Sequence, residues 1–533
     1  MMTIYAVYAV FFLPLWIVRG LNVGRGQICR AASVPHYMCM QVLPALNEYV
    51  IARRCLEMHN VFASTGPVCG ADDVSISAQS MSTWLMLACN IPSMLVVLPL
   101  GRMADGRGRR PLIIYCLVTQ CFGSAGMLAV CLFQLNLLWM IPTYIINGFG
   151  GGSYTLQTIL MASLADVAET REQRSALLAR ATASYYFCGS LGPVIGGYLS
   201  EHVVTVLPSL KGQHYQLAHL LFFSANLLVL ALAIAAFHET LPTAEASAAK
   251  APREERCYRR LSATFRHALQ PLRSRPVVVL SITFMLLYAT INSALSGLIV
   301  AYAKLSTFSL SDELCGWLIG VPWMIRAVSA AIILPQLLRF LTRRFAVAQS
   351  AVVVKPSAQS EPFLPSVPDR LGSAATGEVD LESLVDVPTP AAFKAALWCV
   401  RIGATISMIV FGCFGLANDP TALFVLCSIE GFASIWDAGA SVLFSFMAER
   451  AATGVVVDGS NQGAFMGLRA LLQTAMAVFG PLVFNGFYAA TVAWLRPFTF
   501  YVLSAFCAAA LAVTSMMRES DEGFPQNSHQ PSR

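Results

Sequence analysis

Long apolar runs separated by short polar stretches dominate this chain. Runs of about 20 apolar residues, enough to cross a ~30 Å hydrocarbon core, fall near 80–100, 111–133, 137–164, 176–199, 216–237, 276–302, 314–338, 394–416, 421–447, 463–488 and 493–516. They predict eleven membrane-spanning helices. A twelfth has two sources: 2–18, the more hydrophobic, and 33–52, which carries Asn47 and Glu48. Basic residues gather on the cytosolic side of membrane proteins, and the basic loops 101–110, 171–180, 253–275 and 339–344 all fall on one side when the spans are counted this way. The first span must then start in the cytosol. Arg19, Arg25 and Arg30 suit a cytosolic flank before 33–52, which is read as the first span. The stretch 2–18 is left as an additional helix, since it lacks the basic leader of a signal peptide.

Composition agrees with this pattern. Hydrophobic residues make up 56% and charged residues 12% of the 533 residues, against about 25% charged in a soluble protein. An all-α integral membrane protein is expected, with twelve helices in two six-helix bundles. The expected units are a 1–31 N-terminal segment, a first bundle over 32–237, a basic cytosolic linker over 238–275, a second bundle over 276–517 and a 518–533 tail. Rich in Ser, Pro and Val, 346–392 cannot bury a core and reads as a disordered insertion in the second bundle. The net charge of +6 is small for this length and does not mark a nucleic-acid-binding surface. Among motifs, there is no phosphate-binding loop, paired metal-ligand pattern or nucleophile signature. An enzyme, a cofactor and a metal centre are therefore not expected. A transporter, a channel and a receptor-like protein all fit the composition.

Between two apolar runs, Gly101 to Pro111 carries five charges and three glycines. The order Gly101-x3-Asp105-x-x-Gly108-Arg109-Arg110 resembles the loop between helices 2 and 3 of major facilitator transporters, with Gly106 where that pattern usually has arginine. The resemblance implies a carrier working by alternating access, in which Asp105 and Arg109 help hold the cytosolic ends of the halves together. Asp166, Arg171 and Arg174 after span 4 are similar to the family's next cytosolic loop. Gly192-Pro193 on span 5 is echoed by Gly480-Pro481 on span 11, as expected for related halves with close-packed, bendable helices.

A finer resemblance is to the proton-coupled folate transporter branch, solute carrier family 46. It rests on the same loop, Ala162 to Val167, His238-Glu239-Thr240-Leu241 after span 6, and Gln462-Gly463-Ala464 opening span 11. The short motifs are also similar to those of tetracycline-type drug exporters. The folate branch implies a disulfide between Cys69 and Cys315, with Cys55 as competitor. Where that branch carries intramembrane acids and a histidine, this chain has Gly152, Ala181 and Asn292, so folate itself is not implied.

Charges inside spans are costly and mark function. Those expected to serve substrate or proton are Glu48, Arg326, Glu430, Asp437 and Arg469, with Arg180 and Arg401 nearer helix ends. Glu430 and Asp437, seven apart, should share one face of span 10. Trp323 and Arg326, three apart, should share one face of span 8, and Asn47, Tyr144, Asn147, Tyr185, Tyr186, Tyr288, Asn292, Trp323 and Trp436 are the polar and aromatic groups that could complete a cavity. A static ion pair between Glu430 and Arg469 is the competing reading. Together these features predict a secondary active, proton-coupled transporter of a small organic solute. The alternatives are an exporter of drugs or metabolites with the same fold and a non-transporting, receptor-like member. Its surroundings would be the lipid bilayer of the plasma membrane or an endolysosomal membrane, with the solute and protons as its partners.

Overall fold

The computed structural model describes residues 46–61, 69, 72–167, 171–206, 214–240, 276–305, 308–353, 390–436, 439–440 and 461–517. All regular structure among them is helical: α1 (46–59), α2 (Asp72–Arg107), α3 (Arg109–Leu132), α4 (Met140–Phe149), α5 (Gly152–Val167), α6 (Arg171–Val206), α7 (His214–Ala236), α8 (Pro276–Lys304), α9 (Asp312–Val328), α10 (Leu334–Val353), α11 (Pro390–Cys413), α12 (Pro420–Phe432), α13 (Asn461–Thr491) and α14 (Phe498–Met516). Eight of the helices in the described residues are long and apolar enough to cross a membrane. The apolar stretch 2–18 lies outside the described residues. The described part of 33–52 is helical and runs on to residue 59, with Tyr49, Val50 and Ala52 buried.

Three spans depart from the simple pattern. Span 4 is two helices, because the Gly150-Gly151-Gly152 run turns the chain through positive φ at Gly151 and Gly152. Span 8 does not end in a basic turn. A π-turn over Ser329–Ile333 carries it into α10, so Arg339 to Arg344 are helical. Residues 346–353 and 390–392, expected in a disordered insertion, are helical as well. Span 10 breaks at Ala433-Ser434, where backbone N–H groups bond back three residues to Glu430 and Gly431.

Apolar side chains bury in two separate cores, one drawn from residues 46–237 and one from 284–517. The halves meet along two helix pairs, α6 with α9 and α2 with α13. Backbones approach closely in the first pair: a Cβ on Gly316 would collide with the Pro193 carbonyl, and one on Gly320 would stand 2.7 Å from the Ser190 carbonyl. In the second pair, Gln79 Nε2 donates to Asn485 Oδ1 at 2.8 Å and Asn485 Nδ2 to Thr83 Oγ1 at 2.7 Å. The two Gly-Pro echoes differ in use. Pro193 packs across the halves, whereas a Cβ on Gly480 would meet Ser293 and Thr290 of α8, inside the second half.

Outside the membrane, Cys69 is bonded to Cys55, not to Cys315, which is a buried free thiol. The α1 turn that carries Cys55 is held by Arg53, which donates to the carbonyls of Gln134 and Leu135. Cys55 and Cys69 are thus both in the first half, so the bridge does not tie the halves together.

At the end of the bundle that carries the basic loop 101–110, Glu239 explains why α3 starts where it does. Its carboxylate accepts the backbone N–H groups of Arg109 at 2.8 Å and Arg110 at 3.1 Å, satisfying orphan donors of a helix start and complementing its dipole. Gly108 leads into that start at φ +105°, and a Cβ there would collide with the Glu239 carboxylate.

Gly108→Ala therefore carries both a positive-φ strain of about 1–3 kcal/mol and a displaced cap. Its thermal unfolding in detergent should fall below wild type, and adding Glu239→Ala should cost less than in a wild-type background. Gly316→Ala should also be destabilising, by about 1–3 kcal/mol for overpacking, whereas Gly486→Ala, with nothing within 4 Å of the new methyl, should unfold at or above the wild-type temperature.

Candidate functional site

Glu430 sits on α12 and Arg326 on α9, and two close contacts bring them together. A Cβ on Gly431 would stand 2.8 Å from the Pro322 carbonyl and 2.9 Å from Ile325 Cβ, so only a glycine lets α12 lie this near α9. Arg326 Nη2 then donates to Glu430 Oε2 at 2.7 Å, with both side chains about nine-tenths buried. Breaking such a pair by removing one partner costs about 3–5 kcal/mol, because the other charge is left buried and alone.

The pair lines a narrow cleft. Tyr186 of α6 is its contribution from the first half. Tyr288 and Asn292 of α8, Ser407 of α11, and Ser434 and Trp436 at the break after α12 supply the rest of its polar and aromatic lining. The break matters: it turns Ser434 and Trp436 toward the cavity, with Trp436 edge-on to Tyr288 at 4.9 Å. Tyr186 also joins Tyr185 and Trp323 in an aromatic group with centroids 5.3–5.8 Å apart. Arg326 lies over the Trp323 ring at 5.7 Å, close enough for a cation–π attraction of about 0.5–2 kcal/mol.

Donor capacity is left over. Arg326 Nε and the Ser434 hydroxyl oxygen are buried without a hydrogen-bond partner among the described residues. Unmade hydrogen bonds at buried groups cost about 1–3 kcal/mol each, so an acceptor reaching either atom would be favoured. No group of three or more His, Cys, Asp or Glu suited to a metal occurs among the described residues.

The expected site residues divide into three sets. Asn292, Trp323, Arg326 and Glu430 come together here. Glu48 does not; it faces Lys304 of α8 at 3.6 Å in a separate buried cluster. Asp437 lies outside the described residues, and the described part of span 10 breaks at Ala433-Ser434 after Glu430. Arg469 is on α13 with its side chain outside the described residues; among the described residues Glu430 is paired with Arg326.

In the cytosolic loop, Arg109 Nε donates to Asp166 Oδ2 at 3.1 Å, tying α3 to α5, and Arg110 Nη2 donates to the Ile234 carbonyl at 2.8 Å. These contacts join helices of the first half to one another. Gly101 has nothing within 4 Å of a Cβ, and the side chains of Asp105, Arg171 and Arg174 lie outside the described residues.

Lys304 and Asp312, at the ends of their spans, were not singled out in the sequence. The one available signal was an odd charge, Glu48, in the first span with no partner of its own.

A family model, Major Facilitator Superfamily, matches residues 2–354, well over half of the chain. Among curated proteins, the "MFS efflux pump atnC" of Emericella nidulans is 25% identical over 136 residues, which are 25% of this chain and 26% of that protein. The match thus spans about a quarter of that relative. Among solved structures, the human organic anion transporter MFSD10 (TETRAN) superposes with a TM-score of 0.55 at 14% identity, over 92% of this chain and 100% of that one. A D-xylose-proton symporter gives a TM-score of 0.53 at 14% identity, over 92% and 98%. These two likenesses show the fold. With the apolar helices and the two cores described above, the family match establishes that this chain belongs to the Major Facilitator Superfamily and is a multi-pass, all-α membrane transporter.

Proposed function

We propose that the chain is a secondary active carrier that moves a small organic anion by alternating access and couples this to protons through Arg326 and Glu430. The observation that supports this most is the buried Arg326–Glu430 pair bordering the cavity, with one guanidinium N–H, at Nε, unused. An anionic group entering the cavity competes with Glu430 for Arg326. Once released, Glu430 is a buried carboxylate without a counter-charge, and it is neutralised by taking up a proton. Substrate and proton then load together, and the cavity stays close to neutral while the halves rock. Trp323, Tyr185, Tyr186 and Trp436 supply ring faces for the apolar body of the solute.

Folate is a poor fit, because Gly152, Ala181 and Asn292 stand where the folate branch carries its functional groups. The name of the D-xylose-proton symporter lends proton coupling a precedent on this fold, and that of MFSD10 lends one to organic anions. The name of the fungal efflux pump favours a second reading, export by proton exchange, which uses the same pair with the opposite direction of net transport. In either reading the two bundles are joined by the basic linker 238–275, and the plasma membrane and endolysosomal membranes both suit a carrier of this kind.

Purified protein in liposomes should take up one or more labelled organic anions faster with an inward proton gradient than without it. Glu430→Gln should lose the gradient dependence while retaining exchange of solute at equal pH. Arg326→Ala should reduce uptake at least about tenfold, the effect of 1.4 kcal/mol, through loss of the anion's counter-charge. Gradient dependence that survives in Glu430→Gln would sink the coupling role. Stimulation only by an oppositely directed gradient would select export.

A further inference from the structure

At the end of the bundle opposite the basic loops, a second group of charges joins the halves. Glu48 of α1 belongs to the first half; Lys304, in the last turn of α8, and Asp312, in the first turn of α9, belong to the second. Lys304 Nζ is paired with Asp312 and stands 3.6 Å from Glu48 Oε1. All three are buried, Glu48 completely. Both Glu48 oxygens lie beyond hydrogen-bond distance of any donor among the described residues, while the Asp312 carboxylate is near enough to share a hydrogen bond with Glu48 if one of the two holds a proton. The other titratable groups around this cluster among the described residues are Cys315 and Glu313 of α9 and Glu201 and His202 of α6, where His202 Nε2 stands 3.2 Å from Glu313 Oε2; His202→Gln, in every background tested, removes that pair's own titration from the readout.

Among the described residues, two carboxylates and one ammonium leave one uncompensated negative charge in a buried space. Carboxylates forced together in such a place share a proton, because both cannot stay ionised. We infer that Glu48 and Asp312 form a proton-binding site at the outer mouth of the transporter, and that the mouth closes with the uptake of one proton held between them. This rests on the carrier reading, since it requires a mouth that opens. When the halves part, Glu48 leaves with the first half and is hydrated as an anion. Lys304 and Asp312 stay behind as a neutral pair. Closing the mouth reverses this: one proton is taken from outside, the Glu48–Asp312 hydrogen bond forms, and the cluster becomes neutral.

The test is hydrogen–deuterium exchange of the full chain in lipid nanodiscs from pH 5 to pH 8, read at amides of the last turn of α8 and the first turn of α9. Exchange there, corrected for its intrinsic pH dependence, should rise with pH, at the steepest by roughly tenfold per unit for a one-proton linkage. Glu48→Gln and Asp312→Asn each remove the surplus negative charge, so both should show low exchange with no pH dependence. Unchanged exchange at the cytosolic start of α3 checks that the variants are folded. A wild-type profile with no pH dependence would overturn the proposal, as would either folded variant keeping the wild-type slope. Failure of the carrier reading is seen separately, as absence of solute uptake in liposomes.

Discussion

The need to neutralise charge away from water organises this molecule. An ionised side chain inside a membrane protein needs a partner, and the partner must come from another helix whenever the charge faces inward. Arg326 meets Glu430 and thereby fixes α9 against α12; Lys304 meets Asp312 and Glu48 and thereby joins α8 and α9 to α1. The first contact borders the cavity within the second half. The second spans both halves. Each is therefore placed where an exchange of partners has a structural consequence.

Such contacts depend on how closely backbones can approach. Gly431 lets α12 settle onto Pro322 and Ile325, which carries the Glu430 carboxylate to Arg326. Gly316 and Gly320 do the same between α9 and α6, where Pro193 lies. Glycine here replaces the hydrophobic effect, which is weak between helices already surrounded by lipid, with dense van der Waals contact. The α2–α13 seam uses another means, a chain of amide and hydroxyl hydrogen bonds through Gln79, Asn485 and Thr83. One seam is held by shape and the other by directed polar contacts.

Much of the site was legible because charges in apolar spans are rare. Arg326, Glu430 and Trp323 stand out in the sequence, and helical spacing alone put Trp323 and Arg326 on one face, as the cation–π contact bears out. Spacing arguments assume an unbroken helix, and span 10 turns at Ala433-Ser434, three residues after Glu430. Glu430 was also weighed against Arg469, a choice that sequence separation cannot make. The disulfide shows the same limit. Cys69 had two candidate partners, and the one joined to it is Cys55, which α1 carries to within 5.3 Å between Cα atoms. Cys315 stays a free thiol on α9, buried beside Lys304.

By itself the sequence determined the class of molecule: apolar runs of bilayer length and basic loops on one side dictate an all-helical membrane protein, because hydrophobic length and charge sidedness are local properties, and the Gly101-to-Arg110 signature adds the resemblance to major facilitator carriers. Only the tertiary structure decided which charges pair, which glycines face another backbone, where spans 4 and 10 break, and which end of the bundle joins Glu48 to Lys304. Those depend on distances between helices remote in sequence, and a chain read residue by residue carries no measure of them.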